Sequence, residues 1–437
     1  MAIVLVTVLG LYVIIDSLSI GLGTEQRPAY GLLLCVTGLV LLMTRRRPPL
    51  PNSLGRTTAV WWLIGIVGFA MVASQETIYP LYLVGDAASF LFPALLLSIA
   101  RRDATAFYHM PTINVLAAFM FFASIGAVVV VPYIAHGAER FQEPPLLLMA
   151  LGWIGMIRPR RVGALVASAL ISAMVLQLTV MSGARFALIL WPLMGIALFA
   201  LGHVSKQVAA VAFCMLIGVA LSADAAIDAL DLGATIDESR MGRFLSRLDD
   251  GTLADGIAAD GSMKNRFLEA ADAFYTRYDY QGWPTWVFGS GHGATFEGAT
   301  AYYGERTQAN GDVHHIHFGL MLLYYRYGIP GVLGFLWLVA AAAHQMWLLR
   351  RCSPQSALYY PSLLFTLAVG AYLLNFLLFN ELVDPVFSFA LAGFLTTRDL
   401  SAPARLQKRS RLIAAHNVTH PAIRQSRAIG HFSLPNT

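Results

Sequence analysis

Apolar residues run along this chain in long blocks that hold almost none of its charge. A hydrocarbon layer of about 30 Å takes roughly 20 apolar residues wound as a helix. Blocks of that order lie at 2–20, 29–43, 58–74, 80–100, 112–133, 145–157, 162–180, 184–202, 208–222, 329–349, 357–378 and 384–397, of which 29–43 and 145–157 are the shortest. From about Ser222 to Val313 the pattern changes to a hydrophilic stretch too long for a plain connector. Within it Ser262 suits a helix N-cap, and Met263, Phe267, Ala271, Phe274 and Tyr278 recur at helical spacing with Arg266 off their stripe. Gly282-Trp-Pro ends that helix, and Trp283 to Phe296, with Gly289, Gly291 and Gly293, reads as a turn-rich return toward the membrane. Gly328-Ile-Pro-Gly331 then separates a surface helix from the following span, because proline lacks a backbone donor and glycine permits a sharp change of direction. No internal repeat is visible.

The pattern predicts an all-α polytopic membrane protein of about 12 transmembrane helices with one large, partly helical loop. Residues 1–222 hold helices 1–9, 223–315 the loop, 316–397 an amphipathic helix and helices 10–12, and 398–437 a basic tail.

Composition agrees: 57% of the 437 residues are hydrophobic, only 13% are charged, and the mean hydropathy is +0.62. A soluble domain of this length needs more charge to cover its surface. The net charge of +5 resides in short clusters, which points to topology signals and away from nucleic acid. Arg45, Arg46, Arg47 and Arg56 follow the second block, Arg101 and Arg102 the fourth, and Arg158, Arg160 and Arg161 the sixth. Lys206 follows the eighth, Arg350 and Arg351 the tenth, while the alternate breaks hold only Arg27, Arg140 and Arg185. The positive-inside rule then puts both termini in the cytoplasm and the long loop in the periplasm. The first block lacks a basic flank and a small-residue cleavage site, so it reads as a retained helix. Cys35, Cys214 and Cys352 lie outside the loop and imply no disulfide framework there.

Three places carry candidate chemistry. Met181-Ser-Gly-Ala-Arg185 puts an arginine at a membrane face, as an interfacial anchor or as a contact for an anion. Arg240, Arg243 and Arg247 would share one side of a helix. They are either a phosphate-binding set, suited by the planar guanidinium fork, or a solvated face balanced by Asp237, Glu238, Asp249 and Asp250. His314-His315-Ile-His317 closes the loop with the residue type most readily used as a base near neutral pH. His314 and His317 could also pair on a metal, with His292 or a loop carboxylate as a further ligand. Asp249, Asp250, Asp255 and Asp260 lack a calcium-loop spacing. Asp16 and Asp86 lie toward the external ends of their spans and are functional candidates there, Asp86 as a partner for Arg185.

Taken in order and sidedness, these features resemble the O-antigen ligase and polymerase (Wzy-like) superfamily. That family's loop closes with a histidine, a polar residue, nine residues and Gly-x-x-Gly, which His317, Phe318, Gly319 to Tyr327 and Gly328-Ile-Pro-Gly331 match except at Phe318. Its Ser-x-x-Arg turn before a span is similar to Ser182-Gly-Ala-Arg185, and the arginine opening its loop helix corresponds to Arg266, with Ala270 departing from the usual larger residue and Arg243 or Arg247 as alternatives for the role. The resemblance implies metal-independent, cofactor-free glycosyl transfer on the periplasmic face of a bacterial inner membrane. The donor would be a saccharide on undecaprenyl pyrophosphate and the acceptor a hydroxyl of another lipid-linked repeat unit. His317, Arg266 and Arg185 would be catalytic, Arg243, Arg247 and His314 would bind substrate, and a chain-length regulator and a flippase would be partners in the same membrane. A ligase transferring finished glycan to lipid A-core or protein uses the same residues. A flippase or transporter would instead use Asp16, Asp86, Glu381 and Asp384 as pathway residues.

Overall fold

The computed structural model describes residues 2–21, 27–44, 53–75, 78–130, 145–157, 162–181, 185–229, 261–280, 282–298, 312–314, 316–379 and 384–401. The apolar blocks are helices: α1 Ala2–Gly21, α2 Arg27–Met43, α3 Ser53–Ala70, α4 Pro80–Arg102, α5 Met110–Ile125, α6 Leu146–Ile157, α7 Val162–Met181, α8 Arg185–Ala200 and α9 Lys206–Ala229. The polar stretch contributes α10 Gly261–Tyr280, the short α11 Trp283–Phe288, and a two-stranded antiparallel pair, β1 Phe296–Glu297 with β2 Asp312–Val313. Helices α12 Gly319–Leu349, α13 Tyr359–Phe379 and α14 (385–401) follow. Among the described residues six helices are long and apolar enough to cross a membrane, and five more are apolar but shorter. The chain is an all-α, multi-pass membrane protein.

Its deepest layer is α13 and α14, where Leu363, Leu364, Phe365, Phe387, Phe389, Leu391 and Phe394 are fully buried. Helix ends are tied across long sequence distances. The Asp399 carboxylate accepts from Leu54 N at 2.8 Å, capping the start of α3, and Asp384 accepts from Val386 N at 2.7 Å, capping α14. Arg102 donates to the Leu41 carbonyl at 2.7 Å, satisfying the end of α2. Inside the helices Ser17, Thr37, Thr58, Thr179 and Thr366 donate their hydroxyls to carbonyls one turn back, the partners that an apolar surrounding leaves them.

Helix α12 has 31 residues, about 46 Å of helix against a 30 Å layer. The excess is resolved at Gly328, whose φ of 60° and ψ of −150° break the helix into a surface piece, 319–327, and a span, 329–349. The expected break falls on the expected residue.

Candidate functional site

The strap 287–293 is what holds the kink of α12 in place. Breaking a helix leaves carbonyls without intrahelical donors. Here Ser290 N donates to Tyr325 O at 2.7 Å and Gly291 N to Arg326 O at 2.9 Å. The two backbones approach so closely that a Cβ on Gly328 would meet Val287 O, and one on Gly289 would meet Arg326 O. The strap also reaches the ends of α3 and α4. His292 N donates to Gly68 O at 3.2 Å, and the Gln75 amide donates to Ser290 O and His292 O, both at 2.8 Å. The glycines of 289–293 therefore dock the polar segment onto one end of the helix bundle.

At that dock sits a buried charged cluster. Gly293 N donates to Asp86 Oδ2 at 2.7 Å, and Arg326 Nη1 donates to Asp86 Oδ1 at 2.7 Å. Arg326 Nη2 donates to His314 Nε2 at 2.9 Å and to His314 O at 3.0 Å. His314 Nδ1 lies 3.3 Å from the Ala294 carbonyl, and Nε2 lies 3.3 Å from Asp86 Oδ1. His314 stacks flat on Tyr82, with ring centroids 4.0 Å apart. Burial, and then the Arg326 charge, hold its pKa below the ordinary value. His292 is fully buried among Phe69, Phe90 and Tyr327, and burial lowers its pKa as well.

Glu269 on α10 meets His317, which lies 48 residues further along the chain. The buried carboxylate oxygen Oε2 accepts from His317 Nδ1 at 2.7 Å and from His317 N at 3.2 Å. A carboxylate on Nδ1 fixes the neutral tautomer so that Nε2 carries the lone pair, and it stabilises the imidazolium formed when Nε2 takes a proton. Arg266 is half-buried one turn before Glu269 on α10, and i, i+3 neighbours on a helix lie about 5–6 Å apart at Cβ. Phe318 packs its ring against Phe267 of the same helix. The arrangement offers a carboxylate-supported imidazole on a helix that carries an arginine one turn away, a donor set that suits removal of a hydroxyl proton.

The predicted residues thus fall into three groups. His317 meets α10 at Glu269, and Arg266 lies one turn earlier on that helix. His314 is held by Arg326 and Asp86; among the described residues no three His, Cys, Asp or Glu side chains converge. Arg243, Arg247 and Ser182 to Ala184 lie outside the described residues, as does Glu381, and Arg185 opens α8 with its side chain likewise outside them. Asp86 pairs with Arg326, which a charge within the apolar run Phe318 to Tyr327 foreshadowed; its expected contact with Arg185 falls on a side chain outside the described residues. Asp384 caps α14 and accepts from the Tyr372 hydroxyl at 3.0 Å. Glu269 was missed, although it and Asp272 are acids spaced i, i+3 opposite the aromatic stripe. No protein-family model matches the chain, and neither does any curated protein.

Proposed function

We propose that this protein joins oligosaccharide repeat units carried on undecaprenyl pyrophosphate, by metal-independent, inverting glycosyl transfer on the periplasmic face of a bacterial inner membrane. The observation that carries the reading is the Glu269–His317 pair set one turn from Arg266. In the reaction, the acceptor hydroxyl attacks the anomeric carbon of the donor saccharide as the bond from that carbon to the pyrophosphate oxygen breaks. His317 Nε2 takes the hydroxyl proton, and Glu269 stabilises the resulting imidazolium. Arg266, with Arg185, neutralises the departing undecaprenyl pyrophosphate, and Arg243, Arg247 and His314 hold the saccharide-lipid. Displacement from the opposite face inverts the anomeric centre.

The membrane topology belongs to the same proposal. The six long helices, the five shorter apolar ones and α14 make up 12 spans with both termini cytoplasmic. A chain-length regulator and a flippase act beside it.

The test is the fate of lipid-linked saccharide in a deletion strain complemented with wild type, His317→Ala or Glu269→Gln at matched membrane levels. Single repeat units are expected to accumulate with the deletion and with His317→Ala. Glu269→Gln is expected to slow polymer formation by about 10²-fold, within the range of general-base contributions. Full polymer length with both variants overturns the reading. Long polymer built on the carrier but never transferred makes the protein a ligase, with the same residues in the same roles.

A further inference from the structure

Helix α10 is inside out with respect to the protein. Glu269, Asp272 and Ala273, on one side, are 2%, 3% and 0% exposed, while Phe267, Phe274 and Tyr275, on the other, are 58%, 41% and 60% exposed. A helix that buries acids against its own protein and turns aromatic rings outward has a second apolar surrounding on that outward side. The short α11 continues the surface with Trp283, 74% exposed, and Phe288.

The position of this surface identifies what it meets. Residues 329–349 of α12 give about 31 Å of helix, the thickness of one hydrocarbon layer, so Gly328 marks where that span reaches the membrane surface. Val287 of α11 lies directly against Gly328. Below the kink the exposed row of α12 runs through Ile329, Leu333, Leu336 and Trp337, spaced for one helical face. The aromatic surface of α10 and α11 is thus at the height of the headgroups and beside a face that meets acyl chains. Tryptophan and tyrosine concentrate at that height, because a flat ring with one polar edge suits the boundary between lipid and water.

We infer that Phe267, Phe274, Tyr275, Trp283 and Phe288 form a membrane-interface surface on which α10 and α11 rest in the headgroup layer of the bilayer. The acidic inner face then points away from the lipid, and Glu269 is held at a fixed height over the bundle end. The inference stands on burial and helix geometry and is independent of the glycosyl-transfer reading.

The full chain is reconstituted in nanodiscs of phosphatidylethanolamine and phosphatidylglycerol, with Cys35, Cys214 and Cys352 changed to serine. Single cysteines at Phe267, Phe274, Tyr275 and Trp283 carry a nitroxide, with Leu333→Cys as the lipid reference and Gln355→Cys as the water reference. Power saturation with oxygen and with a polar nickel chelate gives their accessibility ratio. Ratios several-fold above the Gln355 value and approaching that of Leu333 are expected. Ratios equal to that of Gln355 overturn the inference, because the face is then in water. Exclusion of both reagents also overturns it, because a second copy or another protein segment then covers the face. In the chain with its native cysteines, Trp283→Phe should remove fluorescence quenched by lipids brominated close to the headgroup. An unchanged quenched fraction overturns the inference without relying on the cysteine variants.

Discussion

The molecule has two interiors built on different rules. Around α13 and α14 the buried side chains are mostly hydrocarbon, with hydroxyls and amides bonding within or between adjacent helices and the carboxylates Asp384 and Asp399 capping helix starts: Thr366 bonds one turn back, and Ser362 accepts from Gln345 at 2.8 Å. Under the strap the buried side chains are a carboxylate, a guanidinium and two imidazoles, fastened by backbone groups of a glycine-rich segment. Apolar burial is non-directional, so the first interior tolerates exchange of one hydrocarbon for another of similar volume. Removing one partner of a buried charge pair leaves the other uncompensated, so the second depends on its specific pairs. The difference teaches where to look for chemistry: the region that folds at the highest polar cost is the region that positions His314, and three residues later His317.

That contrast is broken most severely by removing one partner of the charged pair. Arg326→Met should cost about 3–5 kcal/mol, because Asp86 is left buried without its countercharge. Thermal unfolding in detergent, followed by tryptophan fluorescence, reads the loss. Arg326→Met with Asp86→Asn should recover much of it, whereas a merely steric role for Arg326 predicts no recovery. In the hydrocarbon interior Phe365→Ala should cost a similar 3–5 kcal/mol through the cavity left behind. There the sharpening variant is Phe365→Leu, expected to cost far less, since no partner is stranded.

The hydrocarbon interior was legible because apolar blocks of membrane length announce themselves, and the kink at Gly328 was legible because Gly-Ile-Pro-Gly has few other uses within a helix. The charged interior was not. Asp86 and Arg326 lie 240 residues apart, and polar pairing leaves no period along a chain. The stripe of α10 was also visible, yet its direction was not, because an amphipathic pattern shows that a helix has two faces without saying which solvent each one meets. Glu269 was hidden for the same reason, since an acid opposite an apolar stripe ordinarily faces water.

A smaller perturbation separates the strap from the core. Gly328→Ala places a Cβ against the Val287 carbonyl at a positive φ, and strain of about 1–3 kcal/mol is expected, read as a lowered unfolding midpoint. Gly370→Ala in α13, where a Cβ would meet nothing within 4 Å, should instead leave the midpoint unchanged or raised.

Acid also distinguishes the two interiors. His292 and His314 are held below their ordinary pKa of 6.5 by burial, with the Arg326 charge adding to the effect, so both are neutral in the folded state. The unfolded chain binds the extra protons, so stability is full above about pH 6.5 and falls as pH drops toward the folded-state values, by up to about 1.4 kcal/mol per pH unit for each ring. Unfolding midpoints at pH 8, 6.5 and 5.5 should decline in that order, and His292→Phe, which keeps a ring among Phe69, Phe90 and Tyr327, should flatten the decline. An unchanged slope in that variant assigns the acid sensitivity elsewhere.

The smallest effect is the most discriminating. Phe267 and Phe365 are the same residue type, each in a helix, one 58% exposed and the other fully buried. Were apolar residues placed only by the protein's own core, an exposed phenylalanine opposite buried acids would be an error of the fold. Phe267→Ala should lower the unfolding midpoint in detergent by about 1 kcal/mol or less, the worth of its ring contact with Phe318. A loss as large as that for Phe365→Ala would mean that α10 is packed with its aromatic side inward. The comparison of the two interiors would then fail at the helix that carries Glu269, since the carboxylate could not reach His317 from the outer face.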